Sequence, residues 1–278
     1  MRRVLLALQL VALTVGLTAC GGDVLSVDPA ASAATKTIEA GSSRMDMRIR
    51  MTFAGESVAM SGSGLFDYEQ ARGAFSYRMQ IPELGAVRME LRMLDGKLYL
   101  RMPTEIAGAA LPGGKQWFAL DLGAAMTQAG LGSLDLTGPQ QDPAQALQYL
   151  RAASTDVKKA GRATVRGVAT TRYTGRLDFR AALDAGLDKL ELSAAERAQA
   201  RAAMQSLVDQ LDRDSIPYTV FVDEDGLLRR LTIDMAMAVQ GERVSMTTSA
   251  DYFDFGVDVR VEAPPATEVT DAAGLLQP

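Results

Sequence analysis

The chain has 278 residues with 29 basic and 34 acidic side chains, and this mild excess of negative charge argues against a nucleic-acid partner. It contains no histidine and one cysteine, which excludes Ser-His-Asp and Cys-His catalytic sites, histidine-containing zinc sites and any intramolecular disulfide. Neither a GxGxxG nor a Walker A motif is present. These features favour a protein that is not an enzyme and that binds no cofactor or metal.

The first twenty residues have the pattern of a secretory signal. Arg2 and Arg3 give a positive start, and residues 4–17 form an apolar run that is too short for an ordinary transmembrane helix. The sequence Leu-Thr-Ala-Cys that ends at Cys20 resembles the lipobox of bacterial lipoprotein signals. This resemblance implies that residues 1–19 are removed and that Cys20 is lipidated. The alternatives are a plain signal peptide with an incidental cysteine, or an uncleaved anchor.

Residues 20–43 are rich in Ala, Gly, Ser and Thr and show no sustained period. Such a composition predicts a flexible tether, which would hold a folded domain a few tens of ångströms from a bilayer. We therefore expect the protein to lie outside the cytoplasm, anchored to the cell membrane through the lipid on Cys20.

From Arg44 onward, apolar and polar residues alternate with a period of two, which predicts half-buried strands. Short turns separate the strands, among them the Asp95-Gly96 pair that favours a two-residue hairpin. Gly62 and Gly64 indicate bulges or bends in the second strand. The predicted strands of this antiparallel meander are 44–53, 58–68, 75–81, 87–93, 98–102 and 116–120.

The middle of the chain changes period and predicts helices, several of them with capping residues. These helices are expected over 122–129, 142–153, 178–186 and 193–212. Strands are predicted at 157–160, 163–177, 217–222, 228–239 and 243–253. Residues 263–278 are rich in Pro and Ala and are predicted to form a frayed tail.

No linker divides the strands from the helices, so residues 44–262 are predicted to form one α+β domain. The expected fold is a large curved antiparallel β-sheet, a half-barrel, with helices packed on its concave side.

Eleven of the thirteen methionines after Met1 fall in predicted strands, where Val, Ile and aromatic residues are more usual. Methionine is flexible and polarizable, so one interpretation is an apolar cavity wall that adapts to ligands of variable shape, such as acyl chains. The other is an ordinary core filled with Met. The candidate cavity-lining residues are Met45, Met47, Ile49, Met51, Phe53, Phe75, Tyr77, Met79, Met89, Leu91 and Met93.

Two charged patterns admit more than one interpretation. Asp223-Glu224-Asp225-Gly226 lacks the further ligand spacing of a calcium loop and favours a hairpin turn. Arginines alternate along two strands, where they either contact anionic headgroups or form a solvated outer face. These arginines are Arg44, Arg48, Arg50, Arg88 and Arg92.

Two segments carry a resemblance to a known family. Residues 165–175 have the pattern V-x-G-x-x-T-x-x-Y-x-G, and residues 217–230 have a hydrophobic strand followed by D-x-D-G and L-x-R. Over roughly residues 40–260 the chain resembles the LppX/LprG group of actinobacterial lipoproteins. The resemblance implies a LolA-like half-barrel that encloses a cavity for lipids or lipoglycans in transit through the envelope. It implies no catalytic residues.

The leading hypothesis is a lipid- or lipoglycan-binding lipoprotein that transports or presents its ligand, with a transport partner protein that the sequence does not identify. The alternative is a non-enzymatic sensor or scaffold that uses the same fold to bind another protein. A carboxylate-only glycosidase would need two carboxylates about 5–9.5 Å apart, and the sequence spacing indicates no such pair.

Replacement of the candidate lipidated cysteine tests this arrangement. A Cys20→Ala variant should leave the membrane fraction while keeping its fold and its lipid ligand, because anchor and cavity are separate parts of the chain. Membrane fractionation and mass spectrometry of the extracted ligand measure the two properties. A folded variant that has lost its ligand would show instead that loading depends on the anchor.

Overall fold

The computed structural model describes residues 28–53, 56–81, 85–101, 103, 114–124, 154–178, 193–195, 197–198, 201–202, 215–239 and 242–271. Its α-helix with defined bounds is α1, Pro29–Glu39, and a 3₁₀ helix spans Ala266–Glu268. The strands are β1 Ser42–Phe53, β2 Glu56–Asp67, β3 Arg72–Ile81, β4 Gly85–Leu94, β5 Lys97–Arg101, β6 Trp117–Asp121, β7 Ser154–Val165, β8 Val168–Asp178, β9 Ser215–Val222, β10 Leu228–Val239, β11 Glu242–Phe253 and β12 Val269–Asp271.

The twelve strands form one sheet in the order β12-β6-β5-β4-β3-β2-β1-β11-β10-β9-β8-β7. It consists of two antiparallel meanders, β1 to β6 and β7 to β11, which are joined by the antiparallel pairing of β1 with β11. The predicted antiparallel sheet and amino-terminal meander are therefore confirmed, and a half-barrel is consistent with the strand order. Most of each predicted helix after β6 lies outside the described residues, apart from helical turns at 122–124 and within 194–202.

The two faces of the sheet are distinguished by α1, which packs on one of them. Its alanines share a buried cluster with Val220 on β9. In register, Val220 is paired with Leu231 on β10, Leu231 with Ala250 on β11, and Ala250 with Met47 on β1. Because side chains alternate between faces along a strand, this series defines one continuous face. We call it the inner face, and the opposite side the outer face.

The helix α1 corrects the prediction of a flexible tether over residues 20–43. Asp28 is its N-cap and accepts hydrogen bonds from the backbone N–H groups of Ala30 and Ala31, at 2.9 and 3.3 Å. Pro29 occupies the first helical position, where its missing N–H costs nothing. Ala30, Ala31 and Ala33 are buried. The small side chains that resembled a linker instead let the helix approach the sheet closely.

The turn between β9 and β10 holds the carboxyl end of α1. The Oγ1 of Thr37 accepts a hydrogen bond from the backbone N–H of Leu228 at 2.9 Å, and Lys36 donates to the carbonyl of Asp225 at 2.9 Å. This turn is the D-x-D-G segment, so the motif has a structural role in docking the helix. None of the helices in the described part of the chain is long and apolar enough to cross a membrane.

A second correction concerns the tail that was predicted to fray from residue 263. After β11 the chain crosses the sheet, and Arg92 donates a hydrogen bond to the carbonyl of Glu262 at 2.9 Å. The chain then forms β12, in which Val269 pairs in parallel with Trp117 of β6. An edge strand presents unpaired backbone groups, and β12 satisfies part of that edge. Residues after 271 lie outside the described part of the chain.

Asp251 forms a buried ion pair at the centre of the sheet. Its side chain is 3% exposed and accepts hydrogen bonds from Arg230 on β10, at 2.7 Å, and from Arg48 on β1, at 3.0 Å. Burial by itself would raise the pKa of Asp251, but the hydrogen bonds and charges of the two arginines lower it below its ordinary value. The carboxylate therefore connects three adjacent strands of the sheet.

This ion pair predicts an acid-dependent contribution to stability. A carboxylate with a lowered folded-state pKa stabilises the fold above its unfolded pKa of about 3.9, and the contribution is lost as the pH falls through the folded value. We expect Asp251→Asn to lower the free energy of unfolding by about 2–3 kcal/mol at pH 7, and by less below about pH 4. Urea titrations at several pH values measure this difference.

The matched control is Asp258→Asn, because Asp258 pairs with Arg260 at 2.8 Å in a surface pair whose side chains are 67% and 87% exposed. Its effect should stay below about 0.5 kcal/mol. Equal effects of the two substitutions, or a constant cost of Asp251→Asn across pH, would contradict a stabilising role for the buried carboxylate.

Candidate functional site

The inner face carries apolar side chains in cross-strand register, and β1 lies at its centre. The alternate positions of β1 on this face are Met45, Met47, Ile49 and Met51. Their partners on β11 are Tyr252, Ala250, Thr248 and Met246. These four residues of β1, which were predicted to line the cavity, therefore lie on one surface. Their partners on β11, which were not predicted, lie on the same surface. Phe53 lies opposite Val244 in the backbone register.

Glycines of β2 make room on this face for aromatic rings of β3. A Cβ atom added to Gly62 would lie 2.4 Å from the ring of Tyr77, and one added to Gly64 would lie 2.3 Å from the ring of Phe75. The two rings therefore lie close against the backbone of β2. The register of β2 with its neighbours is regular, so these glycines are not the predicted bulges.

The ring of Tyr77 connects three strands of the inner face. From β3 it lies over Gly62 of β2, and its hydroxyl donates a hydrogen bond to the sulfur of Met47 on β1 at 3.2 Å. The rings of Phe75 and Tyr77 stack with their centroids 6.2 Å apart, and Phe66 is 6.5 Å from Phe75. This part of the face is a continuous aromatic layer beside the methionines of β1.

The strand β4 extends the apolar surface. Met89 pairs with Tyr77, Leu91 with Phe75, and Met79 of β3 with Val87. Met93, the remaining predicted lining residue, pairs with Gly73. Alternation places these predicted side chains of β3 and β4 on the inner face with those of β1.

The inner face is closed at one end and accessible at the other. Tyr68 and Tyr252 lie at the closed end, where burial raises the pKa of both phenols. The Tyr68 hydroxyl is 2.6 Å from the hydroxyl of Ser43, and this hydrogen bond partly offsets the effect of burial on its pKa. At the other end Met51 is 43% exposed and Val58, opposite it in register, is 38% exposed.

A cavity of about 180 Å³ lies between α1 and the strands β7 to β10. Its wall is almost wholly apolar. The lining residues are Ala30, Ala31, Ala34, Ser154, Leu177, Ile216, Tyr218, Val220, Leu228, Leu231 and Ile233. The predicted lining set included none of them. Buried residues alternate along β9, and this pattern could have predicted the part of the cavity wall that β9 supplies. The part that α1 supplies depends on where the helix packs.

Gly175, the last residue of the V-x-G-x-x-T-x-x-Y-x-G pattern, shapes this wall. A Cβ atom at Gly175 would lie 2.5 Å from the ring of Tyr218, so only glycine leaves room for that ring on β8. The Tyr218 hydroxyl donates a hydrogen bond to Ser154 at 3.1 Å, and burial raises the pKa of the phenol. The motif is therefore structural, as its sequence indicated.

The described residues offer apolar contact rather than reactive groups. In that part of the chain, no three His, Cys, Asp or Glu side chains gather in a way that could hold a metal ion. The buried carboxylates Asp223 and Asp251 are each paired with arginine, Asp223 with Arg229 at 2.6 Å. Cys20, the candidate lipidation site, lies outside the described residues.

Comparison with known sequences finds relatives in Streptomyces. No family model matches the chain. An uncharacterised 31.2 kDa protein of Streptomyces griseus is 30% identical over 177 residues, which are 62% of this chain and 53% of that protein. A protein of Streptomyces coelicolor named as a candidate lipoprotein is 29% identical over 199 residues, 69% of this chain and 54% of that protein. The chain spans about half the length of these curated relatives.

Solved structures with a similar arrangement include two mycobacterial proteins. The lipoprotein LppX of Mycobacterium tuberculosis is 14% identical, with a TM-score of 0.45 over 84% of this chain and 100% of LppX. LprF of Mycobacterium bovis is 14% identical, with a TM-score of 0.40 over 85% of this chain and 97% of LprF.

Substitution of Gly175 tests the packing of the cavity wall. We expect Gly175→Ala to lower the free energy of unfolding by about 1–3 kcal/mol, because the new methyl group overlaps the ring of Tyr218. In a Tyr218→Ala background the same substitution should cost less than about 1 kcal/mol, because the overlapping ring is gone. Urea unfolding of the four proteins of this cycle measures the coupling. An identical cost in both backgrounds would mean that the ring is not the cause.

Proposed function

We propose that this chain, which is similar to the LppX/LprG group of actinobacterial lipoproteins, is a cell-envelope lipoprotein that holds lipid acyl chains against its inner face. The observation that carries the proposal is the apolar surface that runs in register from β4 through β1 to β9 and ends in the cavity beneath α1. The alanine-lined cavity and the methionine-rich strands belong to one face, so a single ligand can contact both.

Hydrophobic burial explains why such a surface suits acyl chains. Each buried CH₂ group stabilises a bound chain by about 0.8 kcal/mol, so ten methylenes contribute about 8 kcal/mol without any directional contact. Side chains that must accept chains of different length and curvature need to adapt, and methionine does this better than β-branched residues. Met45, Met47 and Met51 along the centre of the face fit that requirement.

The cavity beneath α1 is large enough for only part of a lipid ligand. Its volume of about 180 Å³ is smaller than the roughly 300–1,000 Å³ of typical ligand pockets. It is close to the roughly 150 Å³ of an engineered apolar cavity that stays dry and takes up benzene. We infer that it receives the end of one acyl chain, while the rest of the chain lies along the methionine-rich strands.

The anchor places the domain close to its lipid source. In this proposal residues 1–19 are removed and Cys20 is lipidated. The lipid on Cys20 anchors the protein in a membrane, and that membrane is the source of the ligand. Only eight residue steps separate Cys20 from Asp28, the N-cap of α1, which limits the distance between them to about 29 Å. The domain therefore stays nearer the bilayer than a tether of residues 20–43 would have held it.

A second candidate function is a non-enzymatic sensor or scaffold that binds another protein. The exposed side chains of Met51 and Val58 favour it, because adjacent exposed apolar residues can belong to a protein interface. The two functions differ in what the purified protein contains. A lipid carrier retains lipid after purification, whereas a scaffold is empty.

A cavity-filling substitution provides the sharpest test. Ala34 lines the cavity from α1, and Ala34→Leu adds three carbon atoms to it. Displacing two or three methylenes of a bound chain corresponds to about 2 kcal/mol, or about a 30-fold loss of affinity. We expect lipid to be found by mass spectrometry in organic extracts of the parent protein and to be strongly reduced in the variant. Thermal unfolding should show that the fold is retained.

Ala86→Leu is the matched control, because Ala86 is exposed at an outer-face position of β4, away from the cavity. It should retain the lipid content of the parent protein. A parent protein that is repeatedly purified without lipid would overturn the proposed function. Equal loss in both variants would overturn the assignment of the cavity.

A further inference from the structure

Three arginines on the outer face of β1 to β5 lack the acidic partners that their neighbours have. On these strands Arg44 pairs with Asp254, Arg48 with Asp251, Arg72 with Asp67, and both Arg92 and Arg101 with Glu90. For the other three, no acidic side chain among the described residues lies within ion-pair distance. These three are Arg50, Arg78 and Arg88, and all are exposed.

The register concentrates their charge. Arg78 of β3 lies directly opposite Arg88 of β4. Ser61 of β2 pairs with Arg78 on one side and with Arg48 of β1 on the other, so Arg48 lies in the same row across the sheet. Arg50 is two residues further along β1. Like charges opposite each other in a sheet destabilise it, so folding alone does not favour this arrangement. An anionic partner that binds between them would relieve the repulsion.

The acidic groups nearest to these arginines are engaged elsewhere. Glu90 is two residues from Arg88 on the same face and accepts a hydrogen bond from Arg101 at 3.2 Å. Asp234 of β10 accepts a hydrogen bond from Thr247 at 2.6 Å, and Thr247 lies between it and Arg50 in register. Neither carboxylate is paired with Arg50, Arg78 or Arg88, on a chain whose net charge is −5.

A groove of about 360 Å³ lies beside Arg50 on the outer face. Arg48, Arg50, Ser61, Thr247 and Ser249 are among the residues that line it. Two guanidinium groups and the hydroxyls of Ser61 and Ser249 can donate hydrogen bonds to the phosphate and glycerol oxygens of a phospholipid headgroup. The volume falls within the range of small-ligand sites.

The end of the sheet that carries Arg50 on its outer face exposes apolar side chains on its inner face. Met51 follows Arg50 directly and pairs with Val58, and these are the large apolar residues with the greatest exposure in the described part of the chain. Arg50, Met51, Val58, Arg78 and Arg88 together form what we call the rim. With strands about 4.8 Å apart, these residues of β1 to β4 span about 15 Å.

The start of α1 lies near the level of the rim. Ala30 and Tyr218 line the same cavity, and Tyr218 is on the same row as Ile49 of β1, two residues from Met51. The amino-terminal end of α1 therefore lies on the rim side of the inner face. An anchored chain of this length keeps the rim within reach of the bilayer.

We propose that the rim docks on the surface of an anionic bilayer, with its arginines on phospholipid phosphates and with Met51 and Val58 at the headgroup boundary. In this orientation the accessible end of the inner face meets the membrane, so lipid exchange does not require passage through water. The position of the anchor rests on the proposed lipidation of Cys20. The docking surface itself does not depend on bound lipid.

The test uses residues 20–278 with Cys20→Ala, which retains every described residue and removes the anchor. Its binding to vesicles of pure phosphatidylcholine is compared with binding to vesicles containing phosphatidylglycerol, by sedimentation at low and high salt. Binding should require the anionic lipid and should weaken with salt. The variant Arg50→Gln/Arg78→Gln/Arg88→Gln should lose on the order of 100-fold in affinity, about fivefold for each arginine.

The matched control removes the same charge from the distant edge strand β7, with Lys158→Gln/Lys159→Gln/Arg162→Gln. These three residues are exposed, and the control should retain most of the affinity. Equal losses in both triple variants would show an effect of net charge alone and would overturn the docking surface. Binding to phosphatidylcholine as strong as to the anionic vesicles would overturn it as well.

Val58→Trp gives a second, independent measurement. The native Trp117 is 3% exposed, so a change in emission on vesicle binding would come from position 58. A blue shift with anionic vesicles is expected, and unchanged emission from bound protein would overturn the docked orientation. If docking fails while lipid is still found in extracts, only the rim assignment is lost. If docking is observed with a protein that is always purified empty, the proposed lipid carriage fails instead.

Discussion

The register between β1 and β11 decides which side chains of the two meanders share a face of the sheet. These strands join the two meanders, and a slip of one residue would move every methionine of β1 to the outer face and every arginine to the inner face. Asp251 fixes this register, because its buried carboxylate contacts Arg48 of β1 and Arg230 of β10 at the same time. One polar contact on the outer face thus determines the composition of the apolar inner face.

Close packing of glycine against aromatic rings produces the second property of the inner face, its smoothness. Gly62 and Gly64 allow the rings of β3 to lie on β2, and Gly175 allows the ring of Tyr218 to lie on β8. These contacts bring the rings close to the strand backbone, where they form part of the apolar surface of the inner face.

The two ends of the sheet differ in a way that matches an anchored lipid carrier. The closed end contains the buried tyrosines, the D-x-D-G turn and the carboxyl end of α1, which hold one another through hydrogen bonds. The other end has exposed methionine and valine on the inner face and unpaired arginines on the outer face. These hydrogen bonds lie away from the end at which ligand would be exchanged in the proposed function.

Alternation with a period of two is a local property, so the strands of the first meander, their antiparallel order and the shared face of Met45 to Met51 could be predicted from the sequence. The predicted strand 163–177 was wrong, because a turn at Arg166-Gly167 divides it between β7 and β8, which pair with each other. The helix over residues 29–39 was not predicted, since alanines favour burial only where β9 and β10 supply a surface. The pairing of β12 with β6, the cavity and the partners of each arginine likewise depend on residues far apart in sequence, and no local pattern encodes such contacts.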